Sequence, residues 1–413
     1  MNFSWADLQA LSESYGDSFY LLDLAKFQAN YHDFLAAFQT VYANSQIAYS
    51  YKTNYTPRLC QLVQGMGGYA EVVSGMEYGL ALRLGVPAER IIFNGPYKQA
   101  ADVERALLGG SVVNLDAAYE LVWIKALAAR FPQHIFRVGV RCNFAIATQQ
   151  RSRFGFDVDS DDFQRVLHAL RGIHNCRIVG LHCHFLAPER SAEAYADIAR
   201  RMLRLALNEC ASETLEFIDL GGGFFSRMRL DLQQQFPYPI PTFTAYGQAI
   251  ADVFAAAFPS GNGPELILEP GIALTADTMQ FVAKIIDVKS IGERHVALAA
   301  GSQYDIKPTL SPRNLPMTVV SAAIGSALDM PWQVVDVVGS TCMEGDCLYS
   351  AYTGALKADD YVVFDNVGAY TNVLRPPFIN PASPILSLDA SGACEVIRRR
   401  ETAEDVFVSY AFD

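Results

Sequence analysis

Several short stretches of this 413-residue chain carry side chains whose chemistry goes beyond packing. The run IAYSYKTN, Ile47 to Asn54, is apolar, alternating and ends in a lysine, so it reads as a buried strand with Lys52 at its mouth. A lysine there loses hydration, which lowers its pKa and makes its amine a nucleophile toward an aldehyde, the setting of a Schiff-base lysine. The competing reading is a solvated lysine just past a strand end. In LILEPGIAL, Glu269 closes an apolar run, and a carboxylate so placed needs a cation, either an arginine or lysine or a protonated pyridine nitrogen. GLHCHF puts His182 and His184 on one side of a strand, as metal ligands, as an imidazole stacked on a ring, or as buried polar residues with partners. FIDLGGGFF ends in Gly221, Gly222 and Gly223, which let backbone N–H groups approach a phosphate or serve tight packing. STCMEGD and DNVGAYT offer Cys342 as a proton donor, Glu344 and Asp346 for cationic groups and Tyr370 for an anion, or are plain surface loops.

The elements that must position these residues follow a rhythm. Candidate strands run over Gln46–Lys52, Gly68–Val73, Arg90–Gly95, Ser111–Asp116, Arg137–Cys142, Ile178–His184, Phe217–Gly223 and Glu265–Gly271. Helical spacing fills the intervals, as in Gly75–Leu84, Gln99–Leu108, Ala117–Arg130, Asp161–Arg171 and Ala192–Glu209. Such alternation argues for a parallel (β/α)8 TIM-like barrel, with a doubly wound open sheet as the alternative. Chemistry in a barrel gathers at the C-terminal strand ends, which here hold Lys52, Asn94, Arg141, His182 with His184, Gly221 to Gly223, and Glu269. From about Phe281 the pattern changes to short alternating runs, FVAKIIDV, HVALAAG, MTVVSAA, WQVVDVVG, DYVVFDN, PILSLD and CEVIRRR. The expected fold is therefore α/β plus all-β, the barrel being followed by a C-terminal β-sandwich or β-barrel domain. Residues 25–275 are assigned to the barrel and 276–413 to the β-domain, which the strand SFYLLD within residues 1–24 joins.

Composition narrows the classes. A net charge of −12 gives no basic footprint for nucleic acid or an anionic membrane. The first residues lack a basic segment followed by an apolar core, and no apolar run has transmembrane length. The eight cysteines include no CxxC pair, so free thiols in a cytoplasmic protein without a metal are expected.

Taken in order, YSYKTN, AEVVSGMEY, RIIFNGPYK, RSRFGFD, GLHCHF, DLGGG, LEPG, GSTCMEGD and VGAYTN resemble the fold-type III pyridoxal-phosphate decarboxylases, the group of diaminopimelate and eukaryotic ornithine decarboxylases. The resemblance covers nearly the whole chain and implies an alanine racemase-like fold with pyridoxal 5'-phosphate as cofactor. It implies that Lys52 binds the cofactor covalently, that His184 stacks on the ring, and that Glu269 pairs with the ring nitrogen. Gly221, Gly222, Gly223, Gly271 and Tyr370 would line the cofactor, and Cys342 would return a proton after carbon dioxide leaves. It further implies a homodimer with shared active sites, with Arg153 facing Asp346 across the interface.

Departures from the family pattern bear on the substrate. The acidic residue that follows the cysteine in relatives, and reads a distal amine, is Met343 here. The arginine after EPG is Ile272, HIGS is replaced by HFLA, Phe185 to Ala187, and IKPTLSPRN brings Lys307 and Arg313. Together with Glu344 these are the candidate substrate-binding residues. The expected substrate is an amino acid or its conjugate, such as a citryl–amino-acid intermediate of siderophore biosynthesis. The alternatives are diaminopimelate decarboxylation in lysine biosynthesis, an alanine-racemase-like activity, and a catalytically silent cofactor-binding homologue.

Overall fold

The apolar runs form eight parallel strands, Ser45–Ser50, Tyr69–Val72, Ile91–Phe93, Val112–Leu115, Phe136–Asn143, Cys176–His182, Phe217–Asp219 and Glu265–Leu268. Each pairs with the next, and the last pairs back onto the first, so the barrel closes and no edge is left. The computed structural model describes residues 3–146, 151–186, 189–322, 333–389 and 392–412; Ala187, Ala323 and Trp332 of the motifs above lie outside them.

The strands are short and buried on both faces because helices cover the outside. In Asp161–Arg171 the spacing of Phe163, Val166, Leu167 and Leu170 puts all four on the buried stripe. Inside, Ala48, Ile92, Val112, Val179, Phe217 and Ile267 pack together. Two glycines make that interior possible. A Cβ at Gly180 would lie 2.1 Å from the Phe217 ring, and one at Gly139 would lie 1.7 Å from Asn114 Oδ1.

The chain divides into two units: Gln28–Phe225 with Tyr238–Leu274, which contains the barrel, and Met1–Phe27 with Ser226–Pro237 and Thr275–Asp413. The second is built on a curled, mostly antiparallel nine-stranded sheet. Strand Ser18–Leu22 lies between Met279–Ile291, antiparallel, and Ile385–Leu388, parallel. Leu8, Phe19, Leu21, Val282, Tyr361, Val363 and Leu386 form its core. Two features differ from the sequence reading. Ser226–Pro237 leaves the range assigned to the barrel and groups with the β-unit, where Arg229 bonds Thr318 Oγ1 at 3.1 Å and Asp365 Oδ2 at 3.2 Å. Cys347–Gly354 is a strand paired with Gln333–Val338, although CLYSAYTG lacks a clean apolar alternation. No described helix is long and apolar enough to cross a membrane. All eight cysteines are free thiols, five of them buried.

One buried ion pair ties two strand-end loops together. Lys98, 2% exposed, donates from Nζ to Gly95 O at 2.8 Å, Asn114 O at 2.9 Å and Glu120 Oε1 at 2.8 Å. Glu120 Oε2 accepts the N–H groups of Asp116 at 2.7 Å and Ala117 at 3.0 Å. Burial lowers the Lys98 pKa and the Glu120 charge opposes that shift. Lys98→Met should therefore leave a buried, unpaired carboxylate and cost about 3–5 kcal/mol in denaturant unfolding. Lys98→Met combined with Glu120→Gln should cost less than Lys98→Met alone.

Candidate active site

The hydrogen-bonded ladder of Ser45–Ser50 stops before the lysine. Lys52 sits in the following 3-10 turn, Tyr51–Thr53, rather than on the strand itself. Its amine contacts Glu71 Oε2 and lies 3.4 Å from Ser50 Oγ, so a carboxylate, not an apolar wall, meets it. Glu71 is fully buried, one residue before the end of Tyr69–Val72. Asn94, just past Ile91–Phe93, donates from Nδ2 to Glu71 Oε1 at 3.1 Å and to Glu269 Oε1 at 2.5 Å. Asn114 Nδ2 in turn donates to Asn94 Oδ1 at 2.7 Å. Five strand ends thus share one polar network that joins Lys52 to Glu269.

Glu269 is 2% exposed and directly follows Glu265–Leu268. His182 Nε2 lies 3.4 Å from Glu269 Oε1, an ion-pair distance without hydrogen-bond alignment. Asp219, fully buried, accepts the Gly221 N–H at 2.8 Å. One side-chain atom from each of His182, Asp219 and Glu269 lies within 4.8 Å of the others. Burial pushes Glu269 up, but the side chains facing it, His182 first and then Lys52, together hold its carboxyl well below the usual range. For Asp219, burial and then the Glu269 charge both act upward, and its pKa is raised well above that of an ordinary aspartate.

His184 follows the strand Cys176–His182, and its Nδ1 accepts the Gly222 N–H at 3.0 Å, so the ring hydrogen belongs on Nε2. Burial, then the Lys52 charge, lowers its pKa to about 3, and the imidazole is neutral near pH 7. The glycines are required by close approach. A Cβ at Gly221 would stand 2.4 Å from Cys183 O, one at Gly222 2.2 Å from Glu269 O, and one at Gly223 2.7 Å from the Tyr195 hydroxyl. Gly221 and Gly223 also have φ of +70° and +98°. The N–H groups of Gly221 and Gly222 are committed to Asp219 and His184, so these two shape the loop instead of facing a phosphate, the role expected of all three. Gly271 packs on the lysine turn itself: its Cβ would meet Thr53 Oγ1 at 2.0 Å.

The remaining expected residues are scattered over several settings. Ile272 is half-buried at the start of the one-turn helix Ile272–Thr275. Phe185 is buried, its ring 4.6 Å from that of Phe144. On the β-unit, Cys342 and Glu344 are exposed, and Met343 is 41% exposed with the Tyr304 hydroxyl 3.3 Å from its sulfur. Lys307 is half-buried, and burial lowers its pKa. Arg313 lies over the Phe236 ring at 4.3 Å, and Tyr370 has φ of +57°. Asp346 departs from expectation. It is 2% exposed, and its carboxylate accepts Gln303 N–H at 2.8 Å, Thr341 N–H at 3.1 Å and Thr341 Oγ1 at 2.6 Å. Arg153 is exposed and stacks on Phe154 at 4.0 Å, and its pairing with Asp346 across a dimer belongs with the proposals below. Glu71, Asp219 and Asn114 belong to the site and were not singled out in the sequence. The available signal was a carboxylate or amide within a residue or two of a strand end.

A family model described as "Pyridoxal-dependent decarboxylase, pyridoxal binding domain" matches residues 24–276, more than half of the chain. A diaminopimelate decarboxylase of Bacillus subtilis is 26% identical over 418 residues, with 97% of this chain and 92% of that protein covered. The L-glutamyl-(BtrI acyl-carrier protein) decarboxylase of Niallia circulans is 28% identical over 428 residues, with 98% and 96% covered. Among solved structures, diaminopimelate decarboxylase from M. jannaschii superposes with a TM-score of 0.85 at 21% identity, over 98% of this chain and 94% of the other, a likeness of fold.

Beside the lysine network, Glu77 is 4% exposed and accepts the Val73 N–H at 2.7 Å. Burial is the main reason its pKa rises from 4.5 to about 7, with the Glu71 charge adding to it. A folded-state pKa above the unfolded one means that the folded protein binds the extra proton. The stabilisation is complete below about pH 4.5 and is lost as pH rises through about 7. The loss is on the order of 3 kcal/mol. Glu77→Gln keeps an acceptor for Val73 and should flatten this decline when unfolding is compared at pH 5 and pH 8. An unchanged slope in the variant would rule out Glu77 as its source.

Proposed function

The chain belongs to the pyridoxal-dependent decarboxylases, and from that premise we propose that it removes the α-carboxylate of an amino acid carried as a conjugate, a citryl–amino acid of siderophore assembly being our specific choice. It is a pyridoxal-phosphate-dependent amino-acid decarboxylase, which displaces the racemase-like and silent readings.

The residues present fit the cofactor. A loop that only glycine can form, a part-exposed lysine amine and a buried carboxylate held ionised all lie at the ends of the barrel strands. Bound pyridoxal phosphate supplies an electron sink for the pair left on Cα as carbon dioxide departs. On this reading Lys52 is the nucleophilic amine, and Glu71 is the acceptor within reach of the proton it must lose. Asn94 aims Glu269, whose negative charge suits a protonated ring nitrogen. His184 offers a neutral ring face, fixed by the Gly222 N–H. Gly223 is the glycine assigned to a phosphate oxygen, while Gly221 and Gly222 keep side chains out of the loop. Cys342 as proton donor, Tyr370 as phosphate ligand, the homodimer with Arg153 facing Asp346, and the cytoplasmic location belong to the same proposal.

The observation that carries the substrate reading is Met343. A thioether, engaged by the Tyr304 hydroxyl, stands where the resemblance to the family implies a carboxylate for a distal ammonium. Lys307 and Arg313 provide positive charge suited to carboxylates, with Glu344 and Ile272 completing the proposed substrate set. The Niallia circulans relative, named for a carrier-bound glutamyl group, shows that a conjugated substrate is within the range of similar chains.

Carbon dioxide release should favour a citryl–diamino-acid conjugate over free meso-diaminopimelate by about 100-fold or more in kcat/KM. The reverse preference would replace the proposed substrate with diaminopimelate. Lys52→Ala should lose the borohydride-fixed cofactor mass seen by intact mass spectrometry, and a fixed cofactor on a different lysine would overturn the assignment.

A further inference from the structure

Asp219 is a fully buried carboxyl of the barrel end that the proposed mechanism does not use. Its Oδ1 accepts the Gly221 N–H at 2.8 Å, while its Oδ2 is fully enclosed and meets no donor among the described residues. The group it faces is Glu269, a second buried carboxyl, with an oxygen of each carboxyl within 4.8 Å of the other. The backbone locks the two in register, because Gly221 also accepts the Glu269 N–H at 2.8 Å. Two ionised carboxylates this close inside a barrel repel strongly, so the pair holds one proton between them. Its location is set by the partners. Glu269 Oε1 already accepts from Asn94 at 2.5 Å and lies 3.4 Å from His182, contacts that favour the anion. Asp219 Oδ2, with nothing to accept, becomes satisfied once it carries a hydrogen and donates.

We propose that Asp219 is a neutral carboxylic acid in the folded protein, with its proton on Oδ2 donated to Glu269, and that it acts as a positioning residue which keeps Glu269 charged and aimed. The inference rests on the reading of Glu269 as the partner of the cofactor's ring nitrogen. It adds a constraint that reading does not contain: the residue before LGGG must be a hydrogen-bond donor, and its charge is dispensable.

Difference infrared spectra of the wild type against Asp219→Asn at neutral pH test the protonation directly, with or without cofactor. A protonated-carboxyl band present in the wild type and lost in the variant is expected, and absence of that band overturns the proposal. Spectrophotometric titration with pyridoxal phosphate tests the positioning role. Asp219→Asn, which keeps an acceptor for Gly221 and a donor toward Glu269, should bind within about threefold of wild type, whereas Asp219→Ala should bind about tenfold more weakly or worse. Equal weakening of both variants, or an Asp219→Asn protein that does not fold, counts against a neutral donor. If Asp219→Ala does not fold, the infrared band and the asparagine variant decide the question. A wild type that binds no pyridoxal phosphate would sink the reading of Glu269, while the infrared result on Asp219 would still stand by itself.

Discussion

The barrel depends on burying ionised groups without leaving any of them alone. Glu71, Glu269 and Asp219 are essentially excluded from water, and a lone carboxylate in that position would be costly or would take up a proton. The chain meets this constraint by sharing partners. Asn94 serves two carboxylates with one amide, and Lys52 answers Glu71. The glycines of DLGGG then bring backbone N–H groups close enough to finish the job for Asp219 and His184. Reactivity and stability are therefore set by the same contacts, since the groups suited to handling protons are those that the barrel must neutralise in order to fold.

The two carboxyls at the far end of this network are tuned in opposite directions by different surroundings. The facing His182 and Lys52 side chains outweigh burial at Glu269, whereas burial and a like charge reinforce each other at Asp219. His184 shows a third outcome, a ring kept neutral by burial and by the lysine. Glu269, Asp219 and His184 thus stand as an anion, a neutral acid and a neutral base on three neighbouring strand ends of the barrel, each defined by what it touches.

Much of this was legible in the sequence because barrel chemistry sits at strand ends and strand ends are marked by pattern breaks. Lys52, His184, Gly221 to Gly223 and Glu269 each fall where an apolar run stops, and that is where the structure brings them together. Glu71 was hidden because YAEVV reads as a strand with an ordinary polar residue, and only the closed ring turns that residue toward the lysine. Asp219 was masked by the glycines beside it. Asp346 misled in the opposite sense: a carboxylate in a turn-like sequence suggests exposure, yet hydrogen bonds to Gln303 and Thr341 enclose it. The strand Cys347–Gly354 escaped because half-exposed strands carry polar and aromatic residues in irregular order. The excursion Ser226–Pro237 could not be read at all, since nothing in its composition says which core it serves.

The contact between Gly271 and Thr53 links two parts of the molecule that sequence keeps far apart. The missing side chain of one is the space occupied by the hydroxyl of the other, and Thr53 is the immediate neighbour of Lys52. Ile272, one of the proposed substrate-binding residues, is the immediate neighbour of Gly271. Natural drift or laboratory selection that reshapes the chain around Ile272 is therefore restrained by the turn that carries the lysine. Backbone shifts at one position are felt at the other, and new specificities are open mainly to substitutions that change the side chain while leaving the loop's path intact.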